Sequence, residues 1–150
     1  MPTGKRTDPY PAFNFLVEID GITRAGFSAA SGLDSETDVI EYRAGDDADL
    51  TSSRLPGRTK FSNIVLKRGI TDDAQLWEWR KKVMDGKTER KPGSIVLHNE
   101  AKEEKVRWDF REGWPCKWIG PDLKADGNEV AIEILEIAHE GVDAKWPSKP

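Results

Sequence analysis

The side chains that most often perform catalysis are scarce in this sequence. His98 and His139 are its only histidines, and Cys116 is its only cysteine. His139 begins a His-Glu-Gly sequence, but the zinc-protease helix needs a second histidine four residues later, where this chain has Asp143. Cys116 follows a proline and has no histidine near it in sequence, which favours a structural thiol over a nucleophile. We therefore predict no catalytic residue and no enzymatic activity.

Two further segments match a ligand-binding motif only in part. Gly86-Lys87-Thr88 ends like a phosphate-binding loop, but Lys81 replaces the earlier glycine and the segment follows a helical pattern instead of opening one. Asp46, Asp47 and Asp49 offer carboxylates to a cation, yet the central glycine and terminal glutamate of a calcium loop are missing. A solvated acidic loop is favoured over a weak ion site. No cofactor and no metal ligand is predicted, and an enzyme or small-ligand module is the least favoured class.

Composition narrows the possible partners. The chain has 150 residues with 23 Lys and Arg against 27 Asp and Glu, a formal net charge of −4, which disfavours a binder of nucleic-acid phosphates. Six Trp, five Phe and two Tyr argue against disorder and for one folded domain. A lone cysteine gives no internal disulfide, and no apolar stretch is long enough to span a membrane. Folding and assembly in the cytoplasm, without membrane insertion, are expected.

Alternation of apolar and polar residues predicts seven or eight strands. They cover residues 13–19, 22–30, 37–43, 61–67, 94–98, 106–110, 114–119 and 129–140. Asp20-Gly21 predicts a hairpin that returns the second strand against the first. Val106, Trp108 and Phe110 alternate with a charged set on the other face, namely Lys105, Arg107, Asp109 and Arg111. The predicted fold class is mainly β, an antiparallel β-barrel or sandwich with one flanking α-helix.

The helix is predicted over residues 72–85. Thr71 or Asp72 is the candidate cap, and Asp72 with Gln75 has the spacing of a capping box. Leu76 and Trp79 belong to one apolar stripe that also includes Val83, and Gly86 follows as a stop signal. This helix is expected to pack its stripe on the sheets.

Residues 44–57 show neither helical nor strand periodicity. Connections of this length without structure of their own are uncommon in compact domains and are usually functional or disordered. We predict that residues 44–57 are an extended inter-subunit loop. This loop belongs to a predicted barrel domain of residues 12–141. A flexible N-terminal arm, residues 1–11, precedes the domain, and a C-terminal tail, residues 142–150, follows it. Trp146 lies in that polar tail and is a second contact candidate. The predicted inter-subunit contacts are Gly45, Asp46, Asp47, Asp49, Leu50, Arg54, Leu55 and Trp146.

Eight short motifs, in order along nearly the whole chain, resemble the phage tail tube protein family. They are Asp8-Pro9-Tyr10, Phe15-x-Val17-Glu18-Ile19-Asp20-Gly21, Gly26-Phe27-Ser28, Ser31-Gly32-Leu33, Leu55-Pro56-Gly57-Arg58, Leu66-Lys67-Arg68-Gly69-Ile70-Thr71, Trp114-Pro115 and Ala138-His139-Glu140-Gly141. The similarity is greatest to the inner-tube proteins of contractile tails and phage-tail-like injection systems. It implies a barrel with a flanking helix, shared with the haemolysin-coregulated protein of type VI secretion.

The resemblance also implies an assembly. Copies of the chain would form hexameric rings that stack into a hollow tube, which a contractile sheath drives through a target envelope. Expected partners are the sheath protein, baseplate or spike proteins and a length-setting protein, with cargo or DNA in the lumen left open. The expected location is a virion or phage-tail-like particle, with release from the cell left open. A tube initiator or baseplate-proximal ring of the same fold is the alternative, and the charged face of residues 105–111 is assigned equally to lumen and exterior.

Overall fold

One long strand organises the fold. The computed structural model describes residues 14–22, 26–43, 45 and 53–147, and its strand β7 (Glu104–Ile119) takes part in two sheets. The other strands are β1 (Phe15–Ile19), β2 (Ala29–Ser31), β3 (Ser35–Tyr42), β4 (Ser53–Phe61), β5 (Ile64–Gly69), β6 (Lys91–His98), β8 (Ile132–Ala138) and β9 (Val142–Lys145). The helix α1 is Gln75–Met84. This arrangement confirms the predicted class, mainly antiparallel β with one helix in the described part of the chain.

The two halves of β7 have different neighbours. Its first half lies between β6 and β9, and β1 pairs with the far side of β6, which gives a first sheet in the order β1-β6-β7-β9. Its second half pairs with β8, followed by β5 and β2, which gives a second sheet. Between the halves, Glu112 adopts a left-handed φ of 55°. The strand therefore changes direction there and passes from one layer to the other.

The core lies between these layers. The buried cluster joins β1 (Val17, Ile19), β5 (Ile64, Leu66), α1 (Leu76, Trp79), β6 (Ile95), β7 (Phe110) and β8 (Leu135, Ile137). Phe110 occupies a space made by two glycines, because a Cβ on Gly93 would lie 2.4 Å from its Cζ and one on Gly113 would lie 2.6 Å from its Cε2. These glycines let the ring pack where the sheets diverge.

The helix begins three residues later than predicted. Asp73, not Asp72, supplies the terminal hydrogen bond, because its Oδ1 accepts from the Gln75 amide at 2.9 Å. Leu76 and Trp79 point into the core, and the Trp79 indole donates to the Glu89 carbonyl at 2.7 Å. The stripe thus packs as predicted, with its indole nitrogen satisfied by the chain that follows the helix.

The structure corrects one predicted strand pairing and two predicted segment boundaries. β1 pairs with β6, and Val17 meets Ile95 in the core. Among the described residues, the turn at Gly21 closes one backbone bond, from Ile22 N–H to Ile19 O at 3.0 Å. Residues 53–57 belong to β4, so the predicted loop of residues 44–57 is shorter. Residues 142–145 form β9, so the predicted tail of residues 142–150 begins as a strand. The predicted arm, residues 1–11, lies outside the described residues.

Candidate assembly surfaces

The hairpin of β3 and β4 is a two-stranded sheet separate from the other strands. Pairing of Ile40 with Leu55 and of Tyr42 with Ser53 places Ile40, Tyr42 and Leu55 on one face. These three side chains are 50%, 56% and 46% exposed. We call them the hairpin apolar face. A two-stranded hairpin with such a face is marginally stable by itself in water, so it gains stability when a partner covers it.

Local contacts shape the hairpin near its base. The Thr37 and Thr59 hydroxyl groups are 3.0 Å apart across the strands, and Lys60 Nζ lies 3.2 Å from Asp38 Oδ1. Register shifts between Thr37 and Val39, which indicates a bulge that reorients the outer part of the hairpin. The exposed apolar face is therefore held on a twisted ribbon.

The predicted contact residues divide between two places. Arg54 and Leu55 lie on β4 and are exposed, and Gly45 is exposed on the connection between β3 and β4. Trp146 follows β9 directly and is 64% exposed. Trp146 thus follows a strand of the first sheet, whereas Arg54 and Leu55 lie on the separate hairpin of β3 and β4. Four predicted contacts lie outside the described residues: Asp46, Asp47, Asp49 and Leu50.

A second surface is the face of the first sheet opposite the core, here called the polar face. Strand registers place Glu18, Ser94, Asp109 and Asp143 in one row across the four strands. The next row is Leu16, Val96, Arg107 and Lys145. Alternation along β7 is as predicted, with Val106 and Phe110 buried in the interior and Arg107 and Asp109 on the polar face.

Ion pairs run across the polar face. Arg107 Nη1 lies 3.1 Å from Glu18 Oε2, and Arg107 Nη2 lies 2.7 Å from Glu104 Oε1. Lys145 Nζ lies 2.8 Å from Asp109 Oδ2, which joins β9 to β7. The hydrogen bonds with Arg107 lower the pKa of Glu104, and they raise the pKa of Arg107 above its usual value. Burial raises the pKa of Asp109, but hydrogen bonds from Lys145 and Ser94 outweigh it and leave that pKa lowered.

The first sheet is open at both edges. Among the described residues β1 pairs only with β6, apart from a bridge between Ile19 and the turn residue Ile22, and β9 pairs only with β7. Sequence reasoning misses this arrangement, because residues 142–145 resemble a polar tail and Glu18 is 89 residues from its partner Arg107. The hairpin apolar face does have a local signal in the alternation of residues 37–43.

The described residues offer no geometric support for a metal site or a membrane-spanning helix. Within the described residues, no three His, Cys, Asp or Glu side chains are placed to hold a metal ion. His139 accepts the Gly141 amide at Nδ1 (3.1 Å), and its Nε2 lies 2.8 Å from the Ser62 carbonyl, so its ring bridges two loops. The ten-residue helix α1 is too short to cross a bilayer, and the rest of the described chain contains no membrane-length apolar helix.

Comparison with known proteins identifies the class. The family of the T4-like virus tail tube protein gp19 matches residues 11–143, and the chain belongs to this family of tail tube proteins. No curated protein sequence matches it. The structure is similar to a chain of the sheath-tube complex, in the extended state, of the extracellular contractile injection system PVC, with 26% identity, a TM-score of 0.82 and 92% of each chain covered.

Two more solved structures have a similar fold. A chain in the tube-terminating cap of the anti-feeding prophage, AFP, has 28% identity and a TM-score of 0.85, with 97% of this chain and 96% of that chain covered. Hcp1 from Flavobacterium johnsoniae has 18% identity and a TM-score of 0.56, with 88% and 94% covered, which shows a shared fold. The resemblance of the sequence to the tail tube family is confirmed.

Proposed function

We propose that this protein is the repeating subunit of the inner tube of a contractile injection particle or contractile phage tail. Copies join edge to edge into hexameric rings, and the rings stack into a hollow tube inside a sheath that drives it through a target envelope. One observation carries this proposal, namely the four-stranded sheet with open edges at β1 and β9. Family membership and similarity to a chain of a sheath-tube complex support it.

Strand direction makes the two edges complementary. Each neighbouring pair in β1-β6-β7-β9 is antiparallel, so β1 and β9 run in opposite directions. A neighbour's β1 placed beside β9 therefore continues an antiparallel ladder. Such a joint uses two different edges of the same chain, so it is heterologous and closes into a ring when the rotation per copy divides a circle. The ring has no free edge, which removes the aggregation hazard of open strands.

The layering of the sheets supports an inward-pointing polar face. The core face of the first sheet carries the second sheet and α1, whereas no described element covers its polar face. In a closed ring the outer circumference is longer than the inner one, so the bulky second layer fits outside. The polar face then lines the central passage, which suits a water-filled lumen.

Stacking of rings is assigned to the hairpin. Ile40, Tyr42 and Leu55 are about half exposed and lie on a ribbon that the two main sheets do not extend. Burial of such side chains stabilises an interface by about 25 cal/mol for each Å² of apolar surface removed from water. A contact with a copy in the next ring would cover this face and order the hairpin.

Cysteine cross-linking tests the ring. In a Cys116→Ser background, Leu16→Cys is combined with Lys145→Cys, and in a second protein with Asp143→Cys, which covers two registers of a β9–β1 joint. Oxidation of assembled protein is expected to give a disulfide ladder that ends at the hexamer on denaturing gels. The control combines Ser94→Cys, on the central strand β6, with Lys145→Cys. An equal ladder from this control, or none from either test pair in assembled protein, contradicts the joint.

Matched hairpin variants test the stacking. Ile40→Asp puts a charge on the hairpin apolar face, whereas Val39→Asp puts the same charge one residue away on the opposite face of the ribbon. Electron microscopy is expected to show single rings without tubes for Ile40→Asp and normal tubes for Val39→Asp. Full-length tubes from Ile40→Asp, at the wild-type yield, would remove the hairpin from the ring-to-ring contact.

A further inference from the structure

An apolar groove opens between the two layers at one end of the first sheet. The helix α1 packs near the other end, where β6 begins, and the Trp79 indole there donates to the Glu89 carbonyl at 2.7 Å. The groove has a volume of about 380 Å³ and lies where β1 begins and β6 ends. We call it the end groove, and its apolar lining includes Phe15, Ala30, Leu33, Ile95, Leu97 and Trp108.

The end groove continues the core outward. Phe15 on β1 is the direct partner of Leu97 on β6, and in the next row on the same face Ile95 pairs with Trp108. Ile95 is buried, whereas Phe15, Leu33 and Trp108 pack against the core but are only partly buried. Apolar side chains that stay in contact with water at the end of a core are stabilised when another apolar group covers them.

Trp146 lies on the same side of the first sheet as the end groove. It follows β9 directly, is 64% exposed, and is not part of the end groove of its own chain. Ala144 on β9 pairs with Trp108, whose side chain faces the core, and alternate residues of a strand share a face. Pro147 restricts the backbone of Trp146 to extended conformations, so the alternation continues and the indole is on the core face.

The joint of the proposed ring brings Trp146 of one copy beside the end groove of the next. Lys145 and Leu16 belong to one row of the first sheet, so continuing the rows across the joint sets Lys145 of one copy beside Leu16 of its neighbour. The two strands are antiparallel there, so Trp146 then lies beside Phe15, which lines the groove. Within one chain, three strand spacings, about 14 Å, separate Trp146 from Phe15.

We propose that Trp146 of each copy packs into the end groove of the next copy in the ring, so that each core is completed by its neighbour. This inference rests on the proposed function, because it needs the joint between β9 and β1. The contact places an apolar indole against an apolar lining, and tryptophan is enriched among the residues that contribute most to interfaces. The contact also specifies the register, because a slip of one residue would turn Trp146 to the polar face.

Disulfide formation tests the contact directly. In a Cys116→Ser background, Trp146→Cys is combined with Phe15→Cys, and the control combines Trp146→Cys with Leu16→Cys, one residue away on the opposite face of β1. Oxidation of rings seen by electron microscopy is expected to give a ladder that ends at the hexamer for the Phe15 pair, and roughly tenfold less cross-linked product for the control. An equal ladder from the control, or none from the Phe15 pair, overturns the proposal.

Truncation of the indole provides a second measurement that needs no cross-link. Trp146→Ala is expected to raise the protein concentration for half-maximal assembly, followed by light scattering, roughly tenfold or more, and Trp146→Phe is expected to raise it less. Urea unfolding of the dilute protein should not change, because Trp146 is largely exposed in a single copy. Leu123→Ala removes another exposed apolar side chain, 83% exposed, and is expected to assemble as the wild type does.

Two results of the truncation contradict the contact. Assembly of Trp146→Ala at the wild-type concentration shows that the indole does not contribute to the joint. A loss of stability in the dilute Trp146→Ala protein, large enough to account for weaker assembly, shows that the indole acts within its own chain.

The earlier cross-linking pairs separate this inference from the proposed function. If Leu16→Cys with Lys145→Cys gives a hexamer ladder and Phe15→Cys with Trp146→Cys gives none, the joint is supported and only the groove contact fails. A ladder only from Leu16→Cys with Asp143→Cys indicates a register that removes Trp146 from Phe15, which also overturns the contact. If the wild-type chain forms no rings or tubes at any concentration, the proposed function fails and the contact fails with it.

Discussion

Arg68 on β5 and Glu133 on β8 form a buried ion pair, with Arg68 Nε 3.3 Å from Glu133 Oε1 and the two side chains 2% and 8% exposed. They are direct cross-strand partners. Arg68 also donates to the backbone carbonyl of Asp73 at 3.1 Å and lies 5.5 Å from the centre of the Phe27 ring. Since the Asp73 carboxylate also accepts the amide of Gln75, the first residue of α1, this one arginine connects the second sheet to the start of the helix.

Breaking that pair is predicted to be costly. Glu133→Leu leaves the buried Arg68 charge with one carboxylate partner, Asp73 Oδ2 at 3.4 Å, so a loss of about 3 kcal/mol in the free energy of unfolding is expected, the lower end for a broken buried pair. Adding Arg68→Met should recover much of the loss, because the buried charge is then removed and the remaining carboxylate, Asp73, is 28% exposed to water. Urea unfolding of dilute, unassembled protein measures both values.

The exposed pair of Lys60 and Asp38 is the control for that measurement. Its side chains are 60% and 44% exposed, so Asp38→Asn should cost less than about 1 kcal/mol. The interpretation is wrong if Glu133→Leu costs no more than Asp38→Asn, or if the double variant is less stable than Glu133→Leu alone.

Gly93→Ala is predicted to destabilise the core by overpacking. The new methyl group would lie 2.4 Å from Phe110 Cζ and 2.8 Å from the Glu18 carbonyl oxygen, distances at which atoms must move. A cost of about 1–3 kcal/mol is expected in thermal or urea unfolding. Combining it with Phe110→Leu should give less than the sum of the single costs, because the smaller side chain leaves room. Gly26→Ala is the control, since a Cβ there meets nothing within 4 Å. An equal loss from both alanines contradicts the clash.

Glu89 is predicted to shape the acid sensitivity of the fold. Hydrogen bonds from Lys82 and Lys91 lower its pKa from 4.5 to about 2. Because the pKa of Glu89 is lower in the folded state, its ionised form stabilises the fold. This contribution is complete above pH 4.5, the unfolded-state pKa, and is lost as the pH falls from 4.5 through about 2. Glu89→Gln should therefore flatten the decline in unfolding free energy across that window. Glu129→Gln, an exposed loop substitution, controls for the loss of one carboxylate, and a slope for Glu89→Gln identical to wild type contradicts the prediction.

Cys116 is predicted to react slowly. Burial raises the pKa of its thiol and the nearby charge of Glu136 raises it further, so less reactive thiolate is present. Its Sγ also lies 3.5 Å from the Glu136 carbonyl and 3.7 Å from Asn63 Nδ2. Alkylation of Cys116 in the folded protein by iodoacetamide should be several-fold slower than alkylation of the exposed cysteine in a double variant that combines Ser62→Cys with Cys116→Ser. In urea the two rates should become equal, and equal rates before unfolding would show an accessible thiolate.

Local patterns are enough to predict many elements. Alternation around Val106 and Phe110 predicts the core and charged faces of β7, and the stripe of Leu76 and Trp79 predicts the buried side of α1. These predictions succeed because each depends on neighbours within one element, where a period of two or 3.6 residues fixes which side chains share a face. The order of the motifs along the chain likewise indicates the tail tube family, because it needs only the residues themselves and not their contacts.

Residue patterns are therefore sufficient to predict the class of fold, the buried and charged faces of β7, and the family. Tertiary packing selects which strands become neighbours. It pairs β1 with β6 instead of with the chain after Gly21, and it makes residues 142–145 an edge strand. It also brings Glu18 to Arg107, which is 89 positions away in sequence. The physical reason is that strand pairing is chosen by burial and ladder bonds summed over the whole molecule, and a local turn signal contributes little to that sum. The open edges and the ion-paired polar face exist only as consequences of that pairing.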